Sequence, residues 1–447
     1  MKTINAYIHQ HAAETPDQLA VVTPTEQLTY AEFSARINER AAEFAANGLQ
    51  ADRPYVYRAS QDAEFLITYY AVHQCNAVAI TLDANLPQEN FDRVKAEVEA
   101  YNFPTGIRTV LYTTGTTGRP KGVMLSEEAI TTCAENFVQV MPFTEDLVFI
   151  VAGPVSHIAS LYKIAPTLLV GGTVYVVNGL KNLGDFYGAF ERFPDRKFAS
   201  FLVPAHIRML LQMSHDELTA VAGKVAFIET GAAPVTESDM RELSAVLTMS
   251  RLYNGYGATE TAVFTRYDFN DGKYIVGCVG EPMPRAKVML DIDGTVMVQA
   301  PTVMHGYINE PEKTAAVLTI DADGRRTFRT SDRGFFDEEG RLHLLGRNDN
   351  IINVGGFKAD PVLIENTALN LDYLTECVVI PVPNPITGNS LKLLYVVKEG
   401  RECTSRDIAY YLRDRLEAYQ VPALYERVDS INKLSNGKVD RRSYASK

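Results

Sequence analysis

The stretch TVLYTTGTTGRPKGVMLS, residues 109–126, places a polar loop rich in glycine and threonine between two apolar, strand-like segments. The loop therefore joins one strand to the next. Glycines let successive backbone N–H groups point into one concavity, while threonine hydroxyls and the Lys121 ammonium add donors and positive charge. This composition predicts a cradle for a polyphosphate. It is not the P-loop of NTPases, in which the lysine is followed by Ser or Thr at the start of a helix.

Outward from this loop, strand-like and helix-like segments alternate. Thr29 with Glu32 forms a capping pair ahead of an apolar stripe, and Ser126 followed by two glutamates predicts another helix start. A helix is also expected over about 62–74, followed by the strand AVAITLD. Farther on, four segments are predicted as apolar strands that end in Gly or Pro turns. They are KIAPTLLVGGTVYVV (163–177), FASFLVP, KVAFIETG and SRLYNGYG. Such alternation indicates an α/β architecture.

From about Arg266 the pattern changes to alternating strands around Asp-Gly and Glu-Gly turns, which is typical of antiparallel sheet. After Arg347 the remaining segments predict a small α+β unit. The predicted fold class is thus α/β, with a large N-terminal domain over 1–347, built from two α/β subdomains plus a small β region. A small α+β C-terminal domain is predicted over 348–447.

Composition limits the classes of function. The 447 residues are 46% hydrophobic and 22% charged, as in ordinary soluble proteins, and the formal net charge of −12 argues against a broad nucleic-acid-binding surface. The N-terminus lacks a signal-peptide core and no apolar run is long enough to span a bilayer, so a cytoplasmic location without a transmembrane segment is expected. Neither disulfides nor a zinc site are suggested by the five dispersed cysteines, which are Cys75, Cys133, Cys278, Cys377 and Cys403.

The segment YTTGTTGRPKGVMLS closely resembles the signature of the adenylate-forming superfamily, which comprises acyl-CoA synthetases, luciferases and the adenylation domains of peptide synthetases. Further motifs follow in the order found in that superfamily, so the resemblance covers nearly the whole chain. They are GAAP (231–234), YNGYGATET (253–261), RTSDRG (329–334), GRNDNIINVGGFKADPVLIE (346–365) and SNGKVDRR (435–442). Relative to the family, the stretch between AITLD and TVLYTT is short, which implies a shortened first subdomain.

The resemblance implies a site for ATP and Mg²⁺. Thr259 and Glu260 would meet the α-phosphate and the magnesium ion, for which a carboxylate oxygen is an apt ligand. Asp332 would bind the ribose, with Arg347 nearby; Ser331 stands where the family usually has glycine, which matters only if the backbone there needs a positive φ. The β- and γ-phosphates would be contacted by Thr113, Thr114, Gly115, Thr116, Thr117, Gly118 and Lys121. The adenine side of the site would be lined by Gly231, Ala232, Ala233, Tyr256 and Gly257.

The resemblance also implies a catalytic lysine and a moving domain. Lys438 would bridge the incoming carboxylate and the α-phosphate as negative charge gathers there. The C-terminal domain would be mobile and rotate about a hinge at Asp349 between two half-reactions. Gly355 and Gly356 would then let a pantetheine arm pass close to the backbone.

His157 and Gly255 are expected in the acid pocket. Amino-acid activators usually carry an aspartate near the position of His157 and none stands there, so a fatty or aryl acid without an α-amino group is favoured. The predicted function is ATP-dependent formation of an acyl adenylate, followed by transfer to coenzyme A. Two alternatives stay open: a stand-alone enzyme that loads the phosphopantetheine arm of an acyl carrier protein, and, ranked lower, an adenylating or nucleotide-binding protein that makes no thioester.

Overall fold

The computed structural model describes residues 2–113, 120–347, 352–433 and 439–444. None of the helices in these ranges has the length and apolar character needed to cross a bilayer. In chain order, the helices are α1 (Ile4–Glu14), α2 (Tyr30–Ala46), α3 (Ala63–Gln74), α4 (Gln88–Glu99), α5 (Glu127–Val140), α6 (Ile158–Leu169), α7 (Leu183–Arg192), α8 (Pro204–Met213), α9 (His215–Val221), α10 (Glu237–Val246), α11 (Pro311–Val317), α12 (Pro361–Ala368) and α13 (Ser405–Arg413).

The strands of the described ranges build one large sheet, a smaller sheet and the C-terminal β structure. They are β1 (Leu19–Val22), β2 (Gln27–Thr29), β3 (Pro54–Ala59), β4 (Val78–Asp83), β5 (Ile107–Thr113), β6 (Lys121–Ser126), β7 (Leu147–Val151), β8 (Thr173–Val176), β9 (Lys197–Phe201), β10 (Val225–Gly231), β11 (Arg251–Ala258), β12 (Ala262–Asp268), β13 (Cys278–Pro282), β14 (Lys287–Leu290), β15 (Thr295–Gln299), β16 (Gly306–Tyr307), β17 (Leu318–Ile320), β18 (Arg326–Phe336), β19 (Leu342–Arg347), β20 (Ile352–Val354), β21 (Phe357–Ala359), β22 (Leu374–Asn384), β23 (Gly388–Val397) and β24 (Leu424–Arg427).

The large sheet runs in the order β14-β15-β18-β19-β13-β12-β11-β10-β9-β7-β8-β1-β2. Strands β8, β7, β9, β10 and β11 pair in parallel, and pairing becomes antiparallel from β12 onward. The smaller sheet has the order β16-β6-β5-β4-β3, while β22, β23 and β24 form the C-terminal sheet. The predicted α/β class with a small C-terminal α+β unit is confirmed. The predicted antiparallel region continues the parallel sheet along one path through β12.

Local sequence signals place several of these elements. Thr29 caps α2 in a complete capping box with Glu32, and the Ser126 hydroxyl accepts a hydrogen bond from the Ala129 N–H at the start of α5. The buried stripe of α2 includes Phe33 and Ile37, which lie in the main hydrophobic core. Both helix starts therefore agree with the sequence, because capping depends on residues only three positions apart.

The prediction of a strand over 163–177 is wrong in its first half. Residues 163–169 belong to α6, and the strand begins only at β8. Lys163 through Leu168 are all buried, so this part of the helix lacks the solvent-exposed polar face that marks a surface helix. Pro166 within the helix adds to the misleading pattern.

The first subdomain carries a single helix, α4, between β4 and β5. Val94 and Val98 on α4 pack with Val78 and Ile80 of β4 in one hydrophobic cluster. This helix therefore covers a face of the smaller sheet within the short connection noted in the sequence. The domain boundary between residues 347 and 348 stays a prediction, since residues 348–351 lie outside the described ranges.

Candidate active site

The carboxyl ends of two neighbouring parallel strands form one wall of the site. Gly231 ends β10 and lies in register with Gly255 of β11. A Cβ atom on Gly231 would lie 2.4 Å from the Gly255 carbonyl oxygen, so only glycine allows this approach. Ala232 follows with a φ of 63°, which turns the chain sharply away from the strand. This turn contains the expected adenine-side residues Gly231, Ala232 and Ala233.

Tyr256 and Asp332 come together across the strands. The Tyr256 hydroxyl donates a 2.6 Å hydrogen bond to Oδ2 of Asp332, and the Tyr256 ring lies edge-on to Phe264 with centroids 4.8 Å apart. Ser331 lies within β18 and does not have a positive φ, so the backbone there does not require the usual glycine. The structure thus joins the expected adenine-side tyrosine and the expected ribose-binding carboxylate in one contact.

Glu260 lies in the turn between β11 and β12. Its Oε1 accepts a 2.8 Å hydrogen bond from the Tyr307 hydroxyl, and the Lys121 Nζ lies 4.8 Å from the centroid of the Tyr307 ring. Burial and the adjacent Glu260 carboxylate raise the pKa of Tyr307, which keeps its hydroxyl protonated and able to donate. Tyr307 therefore links the expected magnesium ligand to the lysine of the glycine-rich hairpin.

The residues around Glu260 fit a magnesium ion held mainly by a phosphate ligand. In the described ranges, no group of three or more His, Cys, Asp or Glu side chains could hold a metal ion by itself. Mg²⁺ commonly binds through one or two carboxylates together with substrate phosphates and water. The half-buried Glu260 carboxylate, next to the hairpin that is expected to bind phosphates, meets that requirement.

The remaining predicted residues lie on several elements or outside the described ranges. Thr113 and Lys121 pair at the end of the β5–β6 hairpin where the glycine-rich loop joins the two strands, and Thr259 lies beside Glu260 in the turn between β11 and β12. Gly355 and Gly356 form the exposed turn between β20 and β21, both with positive φ. Arg347 pairs with Asp332 through the backbone of β19, but its side chain lies outside what is described. The residues outside the described ranges are Thr114, Gly115, Thr116, Thr117, Gly118, Asp349 and Lys438.

The two substrate-pocket candidates lie on different elements of the N-terminal region, one just before α6 and the other in β11. His157 immediately precedes α6, where its carbonyl oxygen accepts from the Leu161 N–H at 3.0 Å. Gly255 is buried in β11, where a Cβ atom would lie 2.4 Å from Oε1 of Glu229. No motif in the sequence connects Glu229 with this position. The contact shows that a buried carboxylate occupies the space a side chain at Gly255 would need.

A second feature that no sequence motif predicts involves Arg441, which follows the expected catalytic lysine by three positions in the sequence. Arg441 makes a two-pronged ion pair with Glu365, with N–O distances of 2.7 and 2.5 Å, and Glu365 also accepts from the Val379 N–H at 2.7 Å. Burial raises the pKa of Glu365, and the Arg441 guanidinium opposes that rise. The chain that follows Lys438 is therefore fixed to the core of the C-terminal unit. Only the motif SNGKVDRR pointed to this segment in the sequence.

Substitution of Gly257 tests how tightly the chain is packed at the turn between β11 and β12, which carries Glu260. A Cβ atom there would lie 2.0 Å from the Ala262 carbonyl oxygen, so we expect Gly257→Ala to push β11 and β12 apart and move Glu260. Overpacking of this kind costs about 1–3 kcal/mol. A thermal melt should show a lower Tm for Gly257→Ala than for the natural chain. ATP should also raise the Tm of the variant by less than it raises the Tm of the natural chain. Gly223→Ala is the matched control, because its Cβ meets nothing within 4 Å; equal effects of the two substitutions would contradict this interpretation.

Comparisons with known proteins match most of the chain to one family of enzymes and to one fold. The family model described as AMP-binding enzyme matches residues 8–103 and 96–308, and the model for the AMP-binding enzyme C-terminal domain matches 363–438. The chain is 28% identical to feruloyl-CoA synthase of Amycolatopsis sp, over 96% of both chains. It is 24% identical to probable CoA ligase CCL9 of Humulus lupulus, over 99% of this chain and 96% of the relative. The crystal structure of ATP-bound MatB from Rhodopseudomonas palustris has the same fold, with a TM-score of 0.86, 24% identity and 99% coverage of both chains.

Proposed function

Because the chain belongs to the AMP-binding enzyme family, we propose that it uses ATP to convert a carboxylic acid into an acyl adenylate and then transfers the acyl group to the thiol of coenzyme A. The observation that carries this proposal is the run of contacts from Asp332 to Tyr256 and from Glu260 through Tyr307 to Lys121. These contacts support the proposal because they involve the groups expected at the ribose, the magnesium ion and the outer phosphates of a nucleotide.

In the first half-reaction, a carboxylate oxygen of the acid attacks the α-phosphorus of ATP. The bond from that phosphorus to the bridging oxygen of the β-phosphate breaks, and pyrophosphate leaves. The chain must offset the negative charge that gathers on the phosphates and align the attacking oxygen. Lys121 and the hairpin would hold the outer phosphates, Thr259 would contact the α-phosphate, and Lys438 would bridge both reacting anions. Mg²⁺, held by Glu260, would supply further charge neutralisation when bound.

In the second half-reaction, the thiolate of coenzyme A attacks the acyl carbon, and the bond to the AMP oxygen breaks. The acyl adenylate is a mixed anhydride that water can hydrolyse, so it must be shielded from water until the thiol of coenzyme A binds. Rotation of the C-terminal domain at Asp349 would withdraw Lys438 and bring Gly355 and Gly356 beside the pantetheine arm. The exposed turn that carries both glycines supports this role, because a Cβ atom on Gly356 would meet nothing within 4 Å.

The acid is proposed to lack an α-amino group. No aspartate stands within α6 or next to His157 to pair with a substrate ammonium. Coenzyme A as the acceptor is supported by the relatives whose names describe a CoA ligase and a feruloyl-CoA synthase. A carrier protein is the second candidate acceptor, because the ending SNGKVDRR also resembles enzymes that load a phosphopantetheine arm.

A pyrophosphate-release assay over fatty, aryl and amino acids tests the first half-reaction. We expect pyrophosphate release with an acid that has no α-amino group, and little pyrophosphate release with ATP in the absence of an acid. The enzyme that holds the acyl adenylate is then mixed with coenzyme A and, separately, with phosphopantetheinylated carrier proteins. Thioester on coenzyme A supports the proposal, and thioester only on a carrier supports the second candidate. ATP binding without pyrophosphate release for any acid would overturn adenylation.

The substitution Asp332→Asn tests whether Asp332 binds the ribose of ATP. Asparagine keeps an acceptor for the Tyr256 hydroxyl but removes the negative charge that two ribose hydroxyls would share. Hydrogen bonds to charged groups are worth about 1.5–3 kcal/mol, so the KM for ATP should rise by roughly 10- to 100-fold with kcat changed much less. Tyr256→Phe is the matched control, since it removes the donor and keeps the ring. An unchanged KM in Asp332→Asn would place the ribose elsewhere.

A further inference from the structure

A fully buried ion pair lies beside Gly255, one of the two acid-pocket candidates. Nζ of Lys163 on α6 contacts Oε2 of Glu229 on β10, and their side chains are 1% and 0% exposed. The Lys163 Nζ also lies 3.4 Å from the centroid of the Phe137 ring and 5.8 Å from that of Phe201. Apart from their mutual contact, neither charged group has a hydrogen-bond partner in the described ranges. An ammonium with three donors and a carboxylate with two acceptor oxygens thus keep most of their hydrogen-bonding capacity unused.

The pair is adjacent to one acid-pocket candidate, Gly255, and lies farther along α6 from the other, His157. Glu229 stands two positions before Gly231 in β10, and Oε1 of Glu229 would lie 2.4 Å from a Cβ atom on Gly255. Lys163 follows His157 by six positions along α6, a distance of about 9 Å on the helix axis. The ion pair therefore lies next to the strand wall formed by β10 and β11, and one to two helical turns along α6 from His157.

The pair also restricts the charge of any group that binds to it. Burial lowers the pKa of Lys163 and raises that of Glu229, and each partner opposes the shift of the other. Whichever partner holds the proton, the pair has no net charge. A carboxylate or an ammonium bound there would leave an unbalanced charge in a site closed to water, which is costly. A neutral hydroxyl would keep the balance, because it can donate to Glu229 and accept from Lys163.

We propose that Lys163 and Glu229 form the far end of the acid pocket and select a carboxylic acid with a hydroxyl group remote from its reacting carboxylate. The inference rests on the proposed function and adds the substrate class. A pocket built to hydrogen-bond a substrate hydroxyl rejects the analogue that lacks it by about 10⁴- to 10⁵-fold, whereas an apolar pocket discriminates far less. We therefore expect at least about a 100-fold preference in kcat/KM for the hydroxylated acid.

The test measures kcat/KM for pyrophosphate release with matched sets of benzoic, cinnamic and straight-chain acids. Each acid is supplied unsubstituted, with a hydroxyl at its far end, and with a carboxyl there. The double variant Lys163→Met, Glu229→Leu removes both charges while keeping apolar bulk, whereas a single substitution would leave one buried charge unpaired. The hydroxylated form should be preferred by the natural chain, and the double variant should lose that preference and activate the unsubstituted acid better than its hydroxylated partner.

A preference for the hydroxylated acid of less than about tenfold in the natural chain would overturn the inference, even if the double variant did not fold. A preference that survived in a folded double variant would overturn it as well, leaving the ion pair a purely structural role. In both cases pyrophosphate release would still support adenylation. Absence of release with every acid, alongside an ATP-induced rise in Tm, would overturn the proposed function and this inference together.

Discussion

Replacing Lys438 with alanine should abolish most adenylate formation while leaving ATP binding nearly intact. The proposed role of this lysine is realised only as negative charge gathers between the acid and the α-phosphate, so its removal should lower kcat and not ground-state affinity. Loss of one such electrostatic contact typically costs about 10²- to 10³-fold in kcat. The measurement is pyrophosphate release at saturating acid, together with an ATP titration followed by thermal shift.

Lys433→Ala is the matched control for Lys438→Ala. Lys433 lies on the same segment, bridges to Val439 through the backbone and pairs with Glu376 at the surface, so its loss should change kcat by less than about threefold. The second half-reaction offers a further check: Lys438→Ala supplied with a synthetic acyl adenylate should still form thioester. If ATP affinity fell in parallel with turnover, or if transfer were lost as well, the lysine would have a different role.

The parts of the fold that the sequence predicts well depend on neighbouring residues. The capping pair Thr29–Glu32 and the hairpin between β5 and β6 are specified within a few positions, and the structure agrees with both. The site residues Tyr256 and Asp332 were found through motifs, although they lie 76 residues apart. The residue types could be identified from each motif, but the 2.6 Å contact between them follows only from strand pairing.

What the sequence did not show depends on long-range packing. Tyr307 lies 47 residues from Glu260 and outside every motif, so nothing local marks it as the partner of the carboxylate. The sequence pattern predicts Lys163 as the first residue of an apolar strand, whereas it lies within the buried helix α6. Its pairing with Glu229 appears only when α6 packs against β10. A charged residue within an apolar run is a signal that could have prompted a search for a buried partner.

Glu260→Gln should impair catalysis through loss of magnesium binding. Glutamine keeps the size of the side chain and an oxygen that can accept from the Tyr307 hydroxyl, but it has no negative charge for a hard divalent cation. We expect kcat/KM at fixed, limiting Mg²⁺ to fall by about 10²-fold or more, and to recover partly as Mg²⁺ is raised. Pyrophosphate release measured over a magnesium titration reports both effects, since the variant's half-saturation should move to higher metal concentration.

Tyr307→Phe separates the charge of Glu260 from its orientation. This variant keeps the carboxylate and loses the 2.8 Å hydrogen bond, so it should lower kcat/KM by roughly 10-fold or less, since a hydrogen bond to a charged group is worth about 1.5–3 kcal/mol and water can replace part of it. Its half-saturation for Mg²⁺ should stay near that of the natural chain. If Glu260→Gln kept the natural magnesium dependence while Tyr307→Phe lost it, Glu260 would not be the metal ligand, and the ion would have to be held from the Tyr307 side of the site.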